Sequence, residues 1–284
     1  MTSLSLSMIV KNEEDILARC LSSVQNIADE IVIVDTGSTD NTKSVAKQFG
    51  AKIYEENWSE DFSKARNVSL GHCTSDWILV LDADEYLCPT DSYLIKELSK
   101  KSALQPTAVE LKWLNYDDQN RPIQLMGINS CARLFSKHPE TYWVKPYHEH
   151  LITPSNALWM CLNNVAIHHD GYSQMRIKKK KKHQREKKYL DILIKQEPDS
   201  MKWFQWCIYM GNFTFAAQDY TESAGYYERA LSIFNNNSRS FYAMKPLAEL
   251  CLHVLHCLKN CHSERCTNLN CPKKFRASYS GPQN

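Results

Sequence analysis

Long apolar runs are missing from this 284-residue sequence: none approaches the roughly 18 residues that suggest a membrane-spanning helix. The N-terminal stretch MTSLSLSMIVKNEE lacks a basic segment, a long apolar core and a small-residue cleavage site, so no secretory leader is expected. No CxxC spacing occurs among the 11 cysteines, which are odd in number and mostly isolated. That argues against a disulfide framework and fits reduced thiols in a cytoplasmic protein. Cys251, Cys257, Cys261, Cys266 and Cys271 lie near His253, His256 and His262, so a zinc site there is weakly signalled. Ordinary thiols on a helix and a tail are the simpler reading. A large net charge is missing too, the balance being +2. Charge is nonetheless uneven: the first hundred residues are acidic, and RIKKKKKHQREKKYLDILIK (176–195) is strongly basic. With no recognition motif and no basic domain, a nucleic-acid partner is not expected.

What is present reads as an α/β fold. LSLSMIV (4–10), EIVIVD (30–35), AKIYEE (51–56) and DWILVLD (76–82) are strand-like runs. Helical patterns separate them: from about Glu14, over 44–49, and through FSKARNVSLGHC. Such alternation predicts βαβ units and a mainly parallel sheet. WILVL is apolar without alternation, as a central strand covered on both faces would be. After the helix DSYLIKELSK come AVELKWLNY and CARLFSK, a more antiparallel half. The expected division is a catalytic domain over 1–173, a basic connecting helix over 174–198, a helical region over 199–260 and a Cys-rich tail over 261–284. Within MGNFTFAAQDYTESAGYYERALSIF, Met210-Gly211, Asp219-Tyr220, Tyr227 and Ala230-Leu231 fall at tetratricopeptide spacing. Ser223 departs from that pattern, which prefers alanine.

The chemistry is expected at the carboxyl ends of the strands, where parallel sheets bind ligands. Strand one runs into Lys11-Asn12-Glu13-Glu14 rather than a glycine-rich loop, and no Walker motif occurs. Strand two ends in Asp35, strand three leads to Asp61, and strand four ends in Asp82-Ala83-Asp84, followed by Glu85. Buried carboxylates need a positive partner. If the strand persists to Asp84, Asp82 and Asp84 share one face, and their hard oxygens suit Mg²⁺ or Mn²⁺ shared with substrate phosphates. Read locally, Asp61 is a helix N-cap and Arg66 a helix-surface ion pair. His168 and His169, being adjacent, point different ways.

The ordered series SLSMIVKNEE, DEIVIVDTGSTDNT, NWSEDFSKARNVSL and DWILVLDADEYL resembles glycosyltransferase family 2, and especially its bacterial members with a tetratricopeptide-like C-terminal part. RLF (133–135), the His148-Glu149 pair and HDGY (169–172) continue the match. The resemblance implies a GT-A fold and a nucleotide-sugar donor, expected to be a UDP-sugar. It places Asp35 and Asp61 on the nucleoside. Arg66 would approach the diphosphate or hold the acidic loop, and Asp82 would bond ribose or a metal-bound water. Asp84 and His169 would hold Mn²⁺ or Mg²⁺. An inverting displacement needs a base, for which Glu149 is the candidate, with His148 and His150 beside it and Asp117 or Asp118 as alternatives. The acceptor is expected to be a peptide or protein, or a cell-envelope glycan precursor. The basic helix could touch a membrane surface, although a solvated helix face explains it more simply. A nucleotidyltransferase would want a glycine-rich first loop. A non-catalytic nucleotide-binding or interaction scaffold would be free to lose the acids that are all present.

Overall fold

The computed structural model describes residues 2–116, 122–123, 130–147, 149–169, 201–216, 219–236 and five positions between 248 and 255. They belong to two compact units, Met1–Lys180 and Lys181–Asn284. The expected basic helix and Cys-rich tail lie outside the described residues, as do Asp117, Asp118 and His148. The described cysteines are all free thiols. No described helix is long and apolar enough to cross a membrane.

In the first unit the chain runs β1 (Leu4–Val10), α1 (Leu17–Val24), β2 (Glu30–Asp35), α2 (Thr42–Gln48), β3 (Lys52–Glu55), α3 (Phe62–His72) and β4 (Trp77–Val80). It continues through β5 (Glu85–Leu87), α4 (Pro89–Ser99), β6 (Thr107–Tyr116), β7 (Pro122–Ile123), β8 (Ser130–Ser136), β9 (Tyr142–Val144), β10 (His150–Ile152) and β11 (Leu158–His169). One sheet has the order β3-β2-β1-β4-β8-β6-β11-β5, with β7 beside β6, and β9 and β10 form a separate hairpin. Strands β3, β2, β1 and β4 are parallel; β8 opposes both β4 and β6; β11 is parallel to β6; β5 is antiparallel to β11. The expected α/β class with a mainly parallel sheet is what the domain has. From β1 the chain winds outward to β2 and β3, then returns to β4 on the other side. In open α/β sheets such a reversal is where ligands bind, here beyond the carboxyl ends of β1 and β4.

Strand alternation explains how the sheet is covered. Leu4, Leu6, Met8 and Val10 of β1 pack with Leu17, Cys20, Leu21 and Val24 of α1 in one core. On the other face Ser7 bonds Ser69 of α3, Oγ to Oγ at 2.7 Å. All of β4 is buried, as its unbroken apolar run predicted. A second core joins Val32, Leu70, Ile78, Val80 and Phe135 to Trp143 and Leu151 of the hairpin.

At the amino ends of the strands Glu30 is buried and accepts from Ser5 Oγ, Lys52 Nζ (2.7 Å), Thr74 N (2.8 Å) and Thr74 Oγ1 (3.1 Å). Burial raises its pKa, but the bonds from Lys52, Ser5 and Thr74 outweigh it and hold the carboxyl at about 2. A pKa depressed on folding contributes stability above the unfolded carboxylate value, and that stability is lost as pH falls through the folded one. We expect Glu30→Gln to cost about 2 kcal/mol at neutral pH. The deficit should vanish between the ordinary carboxylate range and pH 2, as read from urea midpoints of both proteins across that window.

The second unit holds α5 (Met201–Ala216) and α6 (Tyr220–Asn236). Trp203, Phe204, Cys207, Met210, Tyr227, Ala230 and Leu231 share a core with Ala248, Cys251 and Leu255. A Cβ on Gly211 would lie 2.7 Å from the Tyr227 ring, so glycine is what allows the helices to approach. Ser223, the departure from repeat composition, is buried and donates to the Gly211 carbonyl at 2.8 Å. For Gly211→Ala, helix propensity would gain up to about 1 kcal/mol, against about 1–3 kcal/mol for overpacking. Overpacking wins, so the melting of this unit, followed by circular dichroism, should shift downward.

Candidate active site

Beyond the carboxyl ends of β1 and β2 lie two interlocked loops. After β1, Asn12 (φ 55°) donates its amide to Ser38 Oγ at 2.9 Å, and its Oδ1 accepts from Thr39 N at 2.8 Å. Glu13 N donates to Thr42 Oγ1 (2.7 Å), Glu14 N to Asp40 Oδ2 (3.2 Å), and Glu14 Oε2 accepts from Asn41 N (2.9 Å). Asp35, ending β2, accepts from Gly37 N (3.0 Å) and Ser38 N (2.8 Å) through Oδ1. Gly37 has φ 98°, a conformation that favours glycine. The other oxygen of Asp35, Oδ2, is buried and has no partner among the described residues.

Beside the end of β4 lies a buried charge network. Strand β4 ends at Val80, and Asp82 begins a turn in which Glu85 N bonds Asp82 O at 2.9 Å. The expectation that strand geometry carries Asp82 and Asp84 onto one face is therefore corrected: the turn sends them to different partners. Asp82 accepts from Arg66 Nη2 at 2.9 Å and from Arg133 Nη2 at 3.0 Å. Arg133 also reaches Glu85 Oε1 at 2.8 Å, and Arg66 Nε donates to Glu149 Oε1 at 2.6 Å. Two guanidiniums thus serve three carboxylates. The positive partner of Asp82 and Glu85 comes from the protein itself, and Arg66 is a buried member of this network rather than a helix-surface ion pair.

Burial works against ionising Asp82, yet Arg66 and Arg133 outweigh it and hold its carboxyl well below the usual range. Burial pushes Glu85 up to about 7 against the pull of Arg133. Its oxygens nevertheless accept from Arg133, from Asp82 N (2.8 Å) and from Trp113 Nε1 (2.9 Å). Such a donor set favours the carboxylate. Burial alone would lower Arg66, but Asp82 and Glu149 raise it above its ordinary value. Arg66 Nη1 is buried without a partner among the described residues.

Glu149 reaches this network because Asn67, next to Arg66 on α3, clamps the hairpin. Asn67 Nδ2 donates to Trp143 O, and Trp143 N donates to Asn67 Oδ1, each at 2.8 Å. Phe62 N adds a bond to Pro146 O at 2.9 Å. Asp61 caps α3, accepting from Lys64 N at 3.0 Å and Ser63 Oγ at 2.7 Å, as its local sequence predicted.

Asp84 goes the other way. Its Oδ2 lies 3.5 Å from His169 Nε2. His169 Nδ1 is 2.7 Å from Asn115 Oδ1, its register partner on β6, and the ring stacks on Trp113 at 5.8 Å. His168 takes the opposite face, as adjacent strand residues do, with Nδ1 2.9 Å from Tyr116 OH.

The residues read from the sequence therefore fall into groups. Arg66, Asp82 and Glu149 are brought together, and Asp84 meets His169; Asp35 stands at the end of β2 and Asp61 at the start of α3. Arg133 was visible only as part of an RLF match. Asn67, Trp113 and Asn115 carried no signal, because their roles come from non-local pairing.

These groups suit a nucleotide and a cation. The buried acceptor Asp35 Oδ2 would take a hydroxyl or N–H donor, and the buried donor Arg66 Nη1 would take an anionic oxygen. Adjacent ligands about 2.1 Å from a hard divalent cation stand roughly 3.0–3.5 Å apart, which the Asp84–His169 separation fits. Asn115 fixes the imidazole from behind, as partners of metal-bound histidines do.

The family described as Glycosyl transferase family 2 matches residues 5–159, more than half of the chain. The chain belongs to this family, and its first unit is a glycosyltransferase domain of the GT-A fold. Among relatives, a TPR repeat-containing protein of Synechococcus elongatus is 34% identical over 208 residues, covering 70% of this chain and 50% of that protein. The SPbeta prophage-derived glycosyltransferase SunS of Bacillus subtilis is 24% identical over 262 residues, covering 89% and 59%. Of solved structures, S. aureus TarS residues 1–349 with UDP is similar at TM-score 0.34 and 20% identity, covering 43% of this chain and 38% of that one. The chain spans about half the length of the relatives it matches.

Proposed function

We propose that the chain transfers a sugar from a nucleotide-diphosphate donor, a UDP-sugar, with inversion at the anomeric carbon. The observation that carries this reading is two buried polar atoms without a partner among the described residues, Asp35 Oδ2 and Arg66 Nη1, beside a family-2 domain's need for a nucleoside and a diphosphate. Asp35 binds the nucleoside, with Asp61 supporting its base edge. Arg66 meets the diphosphate while anchoring Asp82, which orders the turn. Asp84 and His169 would hold Mn²⁺ or Mg²⁺; such a cation offsets negative charge on a leaving diphosphate. Glu149, oriented by Arg66, removes the acceptor's proton. The acceptor is a peptide or protein, or a cell-envelope glycan precursor, and the α5–α6 pair is a tetratricopeptide-type repeat that presents a surface to it. In support of that assignment, Gly211 and Tyr227 make the close helix contact that the repeat spacing predicts.

The test is donor hydrolysis with a panel of UDP-, GDP- and CDP-sugars, with Mn²⁺ or EDTA, alongside Asp84→Ala. We expect release of nucleotide diphosphate from one donor, dependent on metal and reduced by about 100-fold or more in the variant. Neither release nor metal-dependent nucleotide binding by calorimetry would sink the enzyme reading in favour of a scaffold.

A further inference from the structure

A second cluster of ligating side chains lies on the opposite face of β11. Strand register places His168 beside Tyr86 of β5. Cys88 follows two residues later as the N-cap of α4, and Asp91 sits in that helix's first turn. One ligating atom from each of Cys88, Asp91 and His168 lies within 4.8 Å of the others, and Cys88 Sγ is 3.1 Å from Asp91 Oδ2. Asp91 is buried; Cys88 and His168 are half-buried.

The surroundings hold the imidazole in place. Tyr86 stacks on His168 at 5.1 Å and Tyr116 at 5.6 Å, and Tyr116 OH engages Nδ1. Cys88 makes no side-chain capping bond to the helix, and its thiol points to Asp91 instead. A helix cap alone would therefore leave this set unexplained.

We propose that Cys88, Asp91 and His168 form a zinc site, separate from the hard-cation pair Asp84–His169. Thiolate, imidazole and carboxylate together suit Zn²⁺, whereas Mg²⁺ and Mn²⁺ favour oxygen. If Nδ1–H donates to Tyr116, Nε2 is the nitrogen left to coordinate. Binding forms Zn–S, Zn–N and Zn–O bonds, breaks the Cys88 S–H bond and releases that proton to solvent, leaving the fourth tetrahedral position to water. Tetrahedral ligands stand roughly 3.3–3.8 Å apart at ordinary zinc bond lengths, so small rotations of these side chains close the site. The bound ion ties α4 and β5, a three-residue edge strand, to the end of β11. Because Glu85 is on β5 and His169 follows His168, the clip fixes the backbone on which both stand.

Full-length protein stripped of metal and titrated with Co²⁺ tests this directly. We expect one equivalent to give a thiolate-to-Co²⁺ charge-transfer band in the near-ultraviolet, displaced by Zn²⁺ and retained in Asp84→Ala. Cys88→Ser and His168→Gln, each checked for native circular dichroism, should lose the band and weaken Zn²⁺ by about 100-fold or more. No band in the parent protein, or a band of undiminished intensity in Cys88→Ser, would overturn the assignment. Donor turnover enters none of these readings.

Discussion

Replacing Arg133 by methionine is expected to lower the stability of the glycosyltransferase domain by about 3–5 kcal/mol, the usual cost of removing one partner from a buried ionic group. Its guanidinium is buried, bridges Asp82 and Glu85, and lies 5.1 Å from the Trp113 ring centroid. Methionine fills much of the volume, so packing loss is the smaller part. What dominates is Glu85, whose side chain is fully buried, left among the described residues with Trp113 Nε1 and the Asp82 amide as donors. Arg133→Lys keeps the charge, but an ammonium lacks the planar fork, and the cost should be intermediate. Urea unfolding of the three proteins measures the order. Equal midpoints for Arg133→Met and the parent would show that the network contributes nothing net to stability.

Glu149→Gln should cut turnover by about 10²–10⁴-fold if Glu149 is the base. The substitution separates the observed bond to Arg66 from the proposed role as base. Glutamine can still accept from Arg66 Nε through its carbonyl oxygen, so the guanidinium stays oriented and still has Asp82 at 2.9 Å. It cannot take the acceptor's proton. The expected pattern is therefore a fall in kcat with little change in the donor's KM, and near-native unfolding. A large rise in donor KM with kcat preserved would assign Glu149 to positioning Arg66 and send the search for the base elsewhere.

The order of strands and helices in the parallel half was legible because local patterns write it: apolar runs close in Asp35 and after Val80, and Asp61 caps the helix that carries Arg66. The polar residues that follow these runs do stand where the strands end, Asp35 closing β2 and Asp82 coming two residues after β4. What the pattern could not show was which distant residue meets which acid. Arg133 lies 51 positions beyond Asp82 and arrives because β8 pairs with β4. Glu85 is separated from β4 by a tight turn and crosses to the far edge of the sheet, in a strand too short to register as one. Glu149 meets Arg66 because Asn67 grips the hairpin 76 residues later. Such pairings depend on register, which sequence periodicity does not carry. Ser223 differs: its hydroxyl looked like a flaw in a repeat until the Gly211 carbonyl beside it was seen.

The loops after β1 and β2 grip one another through side chains in both directions, Asn12 and Glu14 reaching into the second loop and Ser38, Asp40 and Thr42 answering from it. Neither can loosen without exposing polar groups of the other, so they order together and the entropy of fixing them is spent during folding rather than on ligand capture. If Asp35 binds the nucleoside as proposed, a nucleotide reaching it would meet a finished surface. On that reading selectivity for the base would be set in advance by rigid shape, and a change of donor preference would have to rebuild two loops at once.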